Sequence, residues 1–321
     1  MSMTLPPAPG GPELSPAGEP VVPPAPGAPQ SKGTSIWRDA FIRMRRNPAA
    51  IAGAVIVFLF LLVALLAPVL APYGGNDLPG RTEITPTHIP GPGEIDGFVL
   101  GLDRFGGDVF SKLIWGAQAS LTIGLVSTAM GLVGGMILGL LAGGFGGWVD
   151  NVIMRFVDIL LSVPNLLLAV SIAAVLGQGA FAVMIAIGVS AVPIFARLLR
   201  SSMLQQKGAD YILAAQTLGL SRRTITMSHL LPNSVGPVIV QATLTLATAV
   251  IDAAALSFLG LGGGLPQTAE WGRMLTYAQS ELGIAPQLAF LPGICIAITA
   301  LGFTLLGESL REALDPKSRQ R

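Results

Sequence analysis

The feature that most limits what this chain can become is a succession of long, uncharged apolar runs. Ala49 to Leu70 contains no charged residue, and a helix of about 20 such residues, rising 1.5 Å per residue, crosses the ~30 Å hydrocarbon core of a bilayer. Further runs with few charges follow near Ala117–Leu141, Ile153–Leu176, Ala180–Leu199, Pro232–Phe258 and Leu288–Leu306, which predicts six crossing helices. Composition agrees, because 51% of the 321 residues are hydrophobic and only 12% are charged, against roughly 25% charged in a soluble chain. With a net charge of +1, no basic domain is available to nucleic acid. The single Cys295 lies inside an apolar run and leaves no intrachain disulfide and no zinc site.

Ten of the 25 prolines fall within the first 30 residues, among Gly, Ala and Ser with almost no large apolar side chain. Such a segment buries too little surface to offset its ordering entropy, so residues 1–35 read as a disordered, Pro-rich cytoplasmic tail. No basic start followed by an apolar core precedes Ile36, and the first run therefore reads as a span, not a cleaved signal. Placing the amino terminus inside leaves only Arg81, Arg104, Lys112 and Arg273, of 19 Lys and Arg, in outer loops. The positive-inside rule then predicts that both termini are cytoplasmic, as an even number of spans requires. His88 and His229 consequently fall on opposite sides of the membrane and cannot share a metal. In the third run Arg155 and Asp158 are one helical step apart, where they could pair.

The most informative stretch lies inside, between spans four and five. Tyr211 to Leu218 suits a short helix with Ala214 and Ala215 at its centre. Gly219 is placed to end it in the left-handed conformation, Ser221 to cap a second short helix carrying Arg222 and Arg223, and Pro232 to open span five. A plain amphipathic loop at the lipid surface is the alternative, but it does not require the spacing from Ala-Ala to Gly to Pro.

That spacing resembles the EAA loop of binding-protein-dependent ABC importer permeases, on Ala214, Ala215, Gly219, Leu231 and Pro232; the glutamate that names the loop falls at Leu213. Gly101-Leu-Asp103 through Gly116, with Leu102 and Gly107 in place of the usual Thr and Arg, resembles the segment before the second span in peptide-type permeases. Ala255-Leu-Ser257-Phe-Leu-Gly260-Leu-Gly262 with Trp271-Gly272, Leu291-Pro292-Gly293, and the ending from Leu306-Gly307 to Asp315-Pro316 are similar to the same group, as is the opening Arg43, Arg45, Arg46, Asn47, Pro48. The chain therefore resembles the second of the paired permeases of dipeptide and oligopeptide importers, a group that also serves nickel and other small cargo.

The resemblance implies an all-α integral membrane protein of the type I importer permease kind, in the bacterial inner membrane. It would have six transmembrane helices and a cytoplasmic coupling helix between spans four and five. Residues 36–116 would form an amino-terminal membrane region and 117–321 a core of five spans. It implies a sister permease as heterodimer partner, two ATPase subunits, an extracytoplasmic substrate-binding protein, and surrounding lipid. Contact with the ATPase is expected from Asp210, Tyr211, Ala214, Ala215, Gly219, Arg222, Arg223, His229 and Pro232. No catalytic cluster and no G-x-x-x-x-G-K-[ST] phosphate loop occur, so ATP and Mg are expected on the partners and no cofactor on this chain.

Two features leave alternatives open. Gly131, Gly135, Gly139, Gly143 and Gly147 recur every fourth residue, either as a seam for another backbone or as the general glycine enrichment of membrane helices. Asp252, near the outer end of span five, is either a cargo or gate acid, since intramembrane charges are expensive, or a group that snorkels or bonds to the outer loop. An ion-coupled secondary transporter would show two related halves with paired ionisable residues near the midplane; no second-half repeat is found. A membrane scaffold without transport is disfavoured only by the coupling stretch. Because residues 1–30 cannot build a core, truncation to Ser31 should leave assembly and uptake at wild-type levels, measured by complex purification and transport assay.

Overall fold

A computed structural model describes residues 36–85, 87–265 and 267–314. The Pro-rich tail and the terminal Asp315, Pro316, Lys317, Arg319 and Arg321 lie outside the described residues. In chain order the helices are α1 (Ile36–Met44), α2 (Pro48–Leu65), α3 (Ala67–Leu70), α4 (Val109–Phe145), α5 (Gly147–Leu161), α6 (Asn165–Leu176), α7 (Ala180–Lys207), α8 (Asp210–Thr217), α9 (Arg222–Thr224), α10 (Leu231–Phe258), α11 (Trp271–Ala278) and α12 (Gln287–Leu314). Among the described residues the only β-type pairings are two isolated bridges, Thr85 with His88 and Leu102 with Asp108.

Five helical segments are long and apolar enough to cross a membrane: α2, α4, α7, the rod from Arg222 to Phe258, and α12. The expected third span is different. It is broken into α5 and α6, which meet at 92°. Pro164 explains the break, because a residue preceding proline is pushed out of the helical region and the chain cannot continue α5 through it. The bend lays α5 across α7, and this redirects the charges of the run. Asp158 pairs with Arg197 of α7, not with Arg155, and Asp150 accepts two guanidinium hydrogen bonds from Arg200, each 2.6 Å. A two-pronged pair of this kind is stronger than a single-helix i,i+3 contact.

The centre of the molecule is the pairing of α4 with α7. Gly131, Gly135, Gly139 and Gly143 line one side of α4, where a Cβ on Gly131 would lie 2.9 Å from the Gly188 carbonyl and one on Gly139 2.7 Å from the Ala196 carbonyl. The every-fourth-residue glycines are thus a packing seam, as small residues allow between membrane helices. Gly147 is not part of it: it begins α5, with open space around its would-be Cβ. α10 packs on this pair, burying Ala249, Ala253 and Leu256 with Val183, Ala186 and Ile187, and α2 and α12 close the other side through Val57, Ala300 and Phe303.

The two long outer segments fold together over one end. Glu270 caps α11, its carboxylate accepting from the N–H groups of Gly272 and Arg273 at 2.8 and 3.0 Å, while burial pushes its pKa upward against those hydrogen bonds. Trp271 is fully buried, donates its ring N–H to the Leu113 carbonyl at 3.1 Å and meets Phe60 edge-on. Asp103 pairs with buried Lys112 and accepts from the N–H groups of Phe105 and Gly107. Arg104 ties the first outer segment to the second through Ser280 and Glu281.

The seam generates a direct test. A Cβ at Gly135 would collide with the Phe195 side chain and lie 2.7 Å from the Val192 carbonyl, backbone that cannot move aside locally. Gly135→Ala should therefore destabilise the protein by about 1–3 kcal/mol, the range for overpacking. Gly283→Ala, where a Cβ meets nothing within 4 Å, should be neutral. Thermal unfolding of the detergent-purified protein would separate the two.

Candidate coupling site

The inner hairpin is built by three local devices. α7 ends at Lys207, and Ala209 is extended, so the chain turns before α8 starts at Asp210. α8 ends in a Schellman closure: the Leu220 N–H reaches the Ala215 carbonyl at 3.2 Å and the Gly219 N–H the Gln216 carbonyl at 2.9 Å, with Gly219 at φ +75°. Ser221 then caps the next helix, its hydroxyl accepting from the Thr224 N–H at 3.2 Å. These match the turn chemistry read from the sequence.

Beyond Ser221 the chain departs from the expected pair of separate helices. α9 passes through a π-helical turn, Ile225–Leu230, directly into α10, giving one rod from Arg222 to Phe258. Pro232 stands in the first turn of α10, as read from the sequence, but the helix does not start afresh there, being continuous with α9. The π turn explains how: the Leu231 N–H bonds five residues back to the Thr226 carbonyl, and the wider turn makes room for the proline ring, which needs no acceptor of its own.

The hairpin has an inner and an outer face. Ile212 and Ala215 are buried with Ile225, Leu230, Leu199 and Met203 in one cluster that joins α8 to α7 and to the rod. On the other side Leu218 is 80% and Leu213 51% exposed, with Tyr211, Ala214, Gly219, Leu220, Arg222 and Arg223 also at the surface. Leu213 occupies the glutamate position of the motif, and it extends this apolar patch. Asp210 stands exposed in the first turn of α8, and Tyr211 donates to the Gln206 side chain at 2.7 Å. His229 is half-buried in the rod, where its carbonyl accepts from Asn233 at 2.7 Å, and Pro232 is exposed one turn on. A cavity of about 430 Å³ separates the hairpin from the end of α4, lined by Phe145, Lys207, Gln216 and Arg222 among others.

Of the expected residues, Asp210 to Arg223 thus form one patch in which Ala215 alone faces inward, and His229 and Pro232 flank it on the rod. Asp252 is elsewhere, about 30 Å further along α10 than Pro232 at 1.5 Å per residue. Its carboxylate accepts from Asn165, at the corner between α5 and α6, at 3.3 Å, and not from the outer loop. Asn165 was missed in the sequence. The signal available was Pro164 beside it, inside a run read as one continuous span.

Residues 135–320 match the family model for the binding-protein-dependent transport system inner membrane component, and residues 35–84 match the N-terminal TM domain of oligopeptide transport permease C. The chain is 40% identical over 291 residues to the dipeptide transport system permease protein DppC of Alkalihalophilus pseudofirmus, covering 90% of this chain and 93% of that one. It is 41% identical over 281 residues to the glutathione transport system permease protein GsiD of Escherichia coli, covering 88% and 90%. Among solved structures, the inward-facing MetNI methionine ABC transporter is similar at 22% identity with a TM-score of 0.52, over 64% of this chain and 96% of that one. That likeness shows a shared fold, which agrees with the helical order found here. With the family model covering more than half of the chain and relatives aligned along most of their length, the chain belongs to the binding-protein-dependent transport system inner membrane components, the permease subunits of ABC importers.

Proposed function

We propose that this chain is the second of two paired permeases that move dipeptides, oligopeptides or related peptide-like solutes into the cytoplasm. The relatives named for dipeptide and glutathione transport support that cargo class. In this reading it forms a heterodimer with a sister permease, two ATPase subunits dock below, and a substrate-binding protein delivers cargo above. ATP and Mg stay on the ATPase subunits, and this chain performs no hydrolysis. Both termini are cytoplasmic, with residues 36–116 as the entry region and 117–321 as the core.

The observation that carries the reading is the two-faced hairpin. Its inner face ties α8 to α7 and to the rod, so that a force applied to α8 reaches two long membrane helices through buried contacts. Its outer face exposes leucines beside two arginines, a patch suited to a groove with an apolar floor and an acidic rim. The chain turns nucleotide-driven closure of the ATPase pair into alternating access, two discrete states biased by the nucleotide.

Gly219 tests this transmission. A Cβ there meets nothing within 4 Å, so any effect of substitution is conformational: φ > 0 disfavours a residue with a Cβ by roughly 1–2 kcal/mol, and β-branching adds to it. Gly219→Val should lower uptake and cargo-stimulated hydrolysis together while membrane levels stay normal; Gly219→Asn, tolerant of this region, should be much milder. Normal uptake by the Val variant would remove the hairpin from the mechanism. Leu218→Asp should leave the protein inserted and folded, since the side chain is exposed, yet reduce ATPase co-purification about tenfold or more, as loss of a docked apolar anchor does.

A further inference from the structure

We propose that the partly exposed polar strip of α10 is the surface along which cargo moves, and that Asp252 at its outer end receives the ammonium group of that cargo. The proposal rests on the peptide reading above for its ligand, and on the geometry of α10 for its place.

Gln241, Thr245, Thr248 and Asp252 recur at i, i+4, i+7 and i+11, on one side of a helix, over about 16 Å. They are linked: Gln241 donates to the Thr245 hydroxyl at 3.3 Å and Thr248 to the Thr245 carbonyl at 3.0 Å. Thr248 is exposed, Gln241 and Asp252 are partly so, and Thr245 is buried beneath them, holding the other two in register through its hydroxyl and carbonyl. Pro237 is exposed on the same side nearer the cytoplasm, and its missing N–H leaves the Asn233 carbonyl without its usual intrahelical donor. Groups of this kind, in a segment that crosses the membrane, face a water-filled space or a partner and not lipid.

Asp252 is the charged end of the strip. Among the described residues its partner is the Asn165 amide, and no cation pairs with it. Asp150 and Asp158, by contrast, are each matched by an arginine of α7. Asn165 is the first residue of α6, whose N-cap Pro164 supplies no side-chain hydrogen bond, and its side-chain amide donates to the Asp252 carboxylate without neutralising its charge. The cation that completes the site therefore comes from outside the chain. Cargo is the occupant that fits the unmatched charge: a peptide carries a free ammonium group, and uncharged polar groups continue from Asp252 along the strip, as a hydrated solute needs.

The test uses the whole importer in membranes. In a Cys295→Ser background, Gln241→Cys and Thr248→Cys should react with a charged, membrane-impermeant thiol reagent, while Val133→Cys and Ile298→Cys, on exposed apolar faces, should not. Asp252→Asn keeps an acceptor for Asn165 and removes the charge; it should lower uptake of a dipeptide with a free amino group about tenfold or more, the scale of a lost charge-assisted hydrogen bond. Subunit composition should be unchanged, and Asp252→Glu should retain most uptake. The proposal is overturned by an unlabelled strip, by normal uptake with Asp252→Asn, or by loss of the sister permease from the Asp252→Asn complex, which would assign the charge to a subunit contact. If the wild-type importer takes up no dipeptide, the peptide reading fails and labelling alone decides the strip, its absence overturning that too.

Discussion

The close approach of α4 and α7 is the contact on which the rest of the molecule depends. A bilayer gives two apolar helices little hydrophobic reason to associate, so their attraction must come from close packing of many atoms. Four glycines on α4 allow that, bringing its surface against the Gly188 and Ala196 carbonyls of α7. The hairpin hangs from this pair: α7 leads into it, and α10 packs against α7 through the clusters around Ala249 and Val238. Two arginines on the inner half of α7 then fix α5 across it.

The outer end is closed by different means. There no helix or strand occurs among the described residues between α3 and α4, and stability comes from a buried tryptophan, the pairing of buried Lys112 with Asp103 and carboxylate caps at Asp108 and Glu270. Lys112 has its counterpart in Asp103, Asp108 and Glu270 have their N–H donors, and Arg273 donates to the Gly264 and Leu265 carbonyls, which is the condition for burying such groups at all. Fully buried Leu102 and the turn at Gly107, the two departures from the family's usual Thr and Arg, fit this cap: Asp103 between them bonds to the Gly107 N–H and to Lys112.

Most of the architecture was legible because membrane spans announce themselves by length and lack of charge, and because the hairpin uses strong turn chemistry. Gly219 and Ser221 are found doing what their residue types favour. Three things were not legible. The third run has the composition of a span, and hydropathy averages over the corner at Pro164 that divides it. The continuity of the rod through Pro232 depends on a π turn, a backbone shift that leaves no compositional mark. The partners of Asp158 and Asp252 lie 39 and 87 residues away, beyond the reach of local spacing rules, and both arise from the bend.

The rod from Arg222 to Phe258 has its irregularities at one end only, with the π turn, Pro232 and Pro237 all within its first sixteen residues. A beam weakened near one support behaves as a lever. The segment beyond Pro237 is about 31 Å long at 1.5 Å per residue, so a tilt of about 10° at its base would displace the far tip by about 5 Å. The tip carries Ser257 and Phe258 next to the glycine-rich loop that follows, so a sub-turn movement at the hairpin end would be magnified to roughly the width of a peptide backbone at the opposite one.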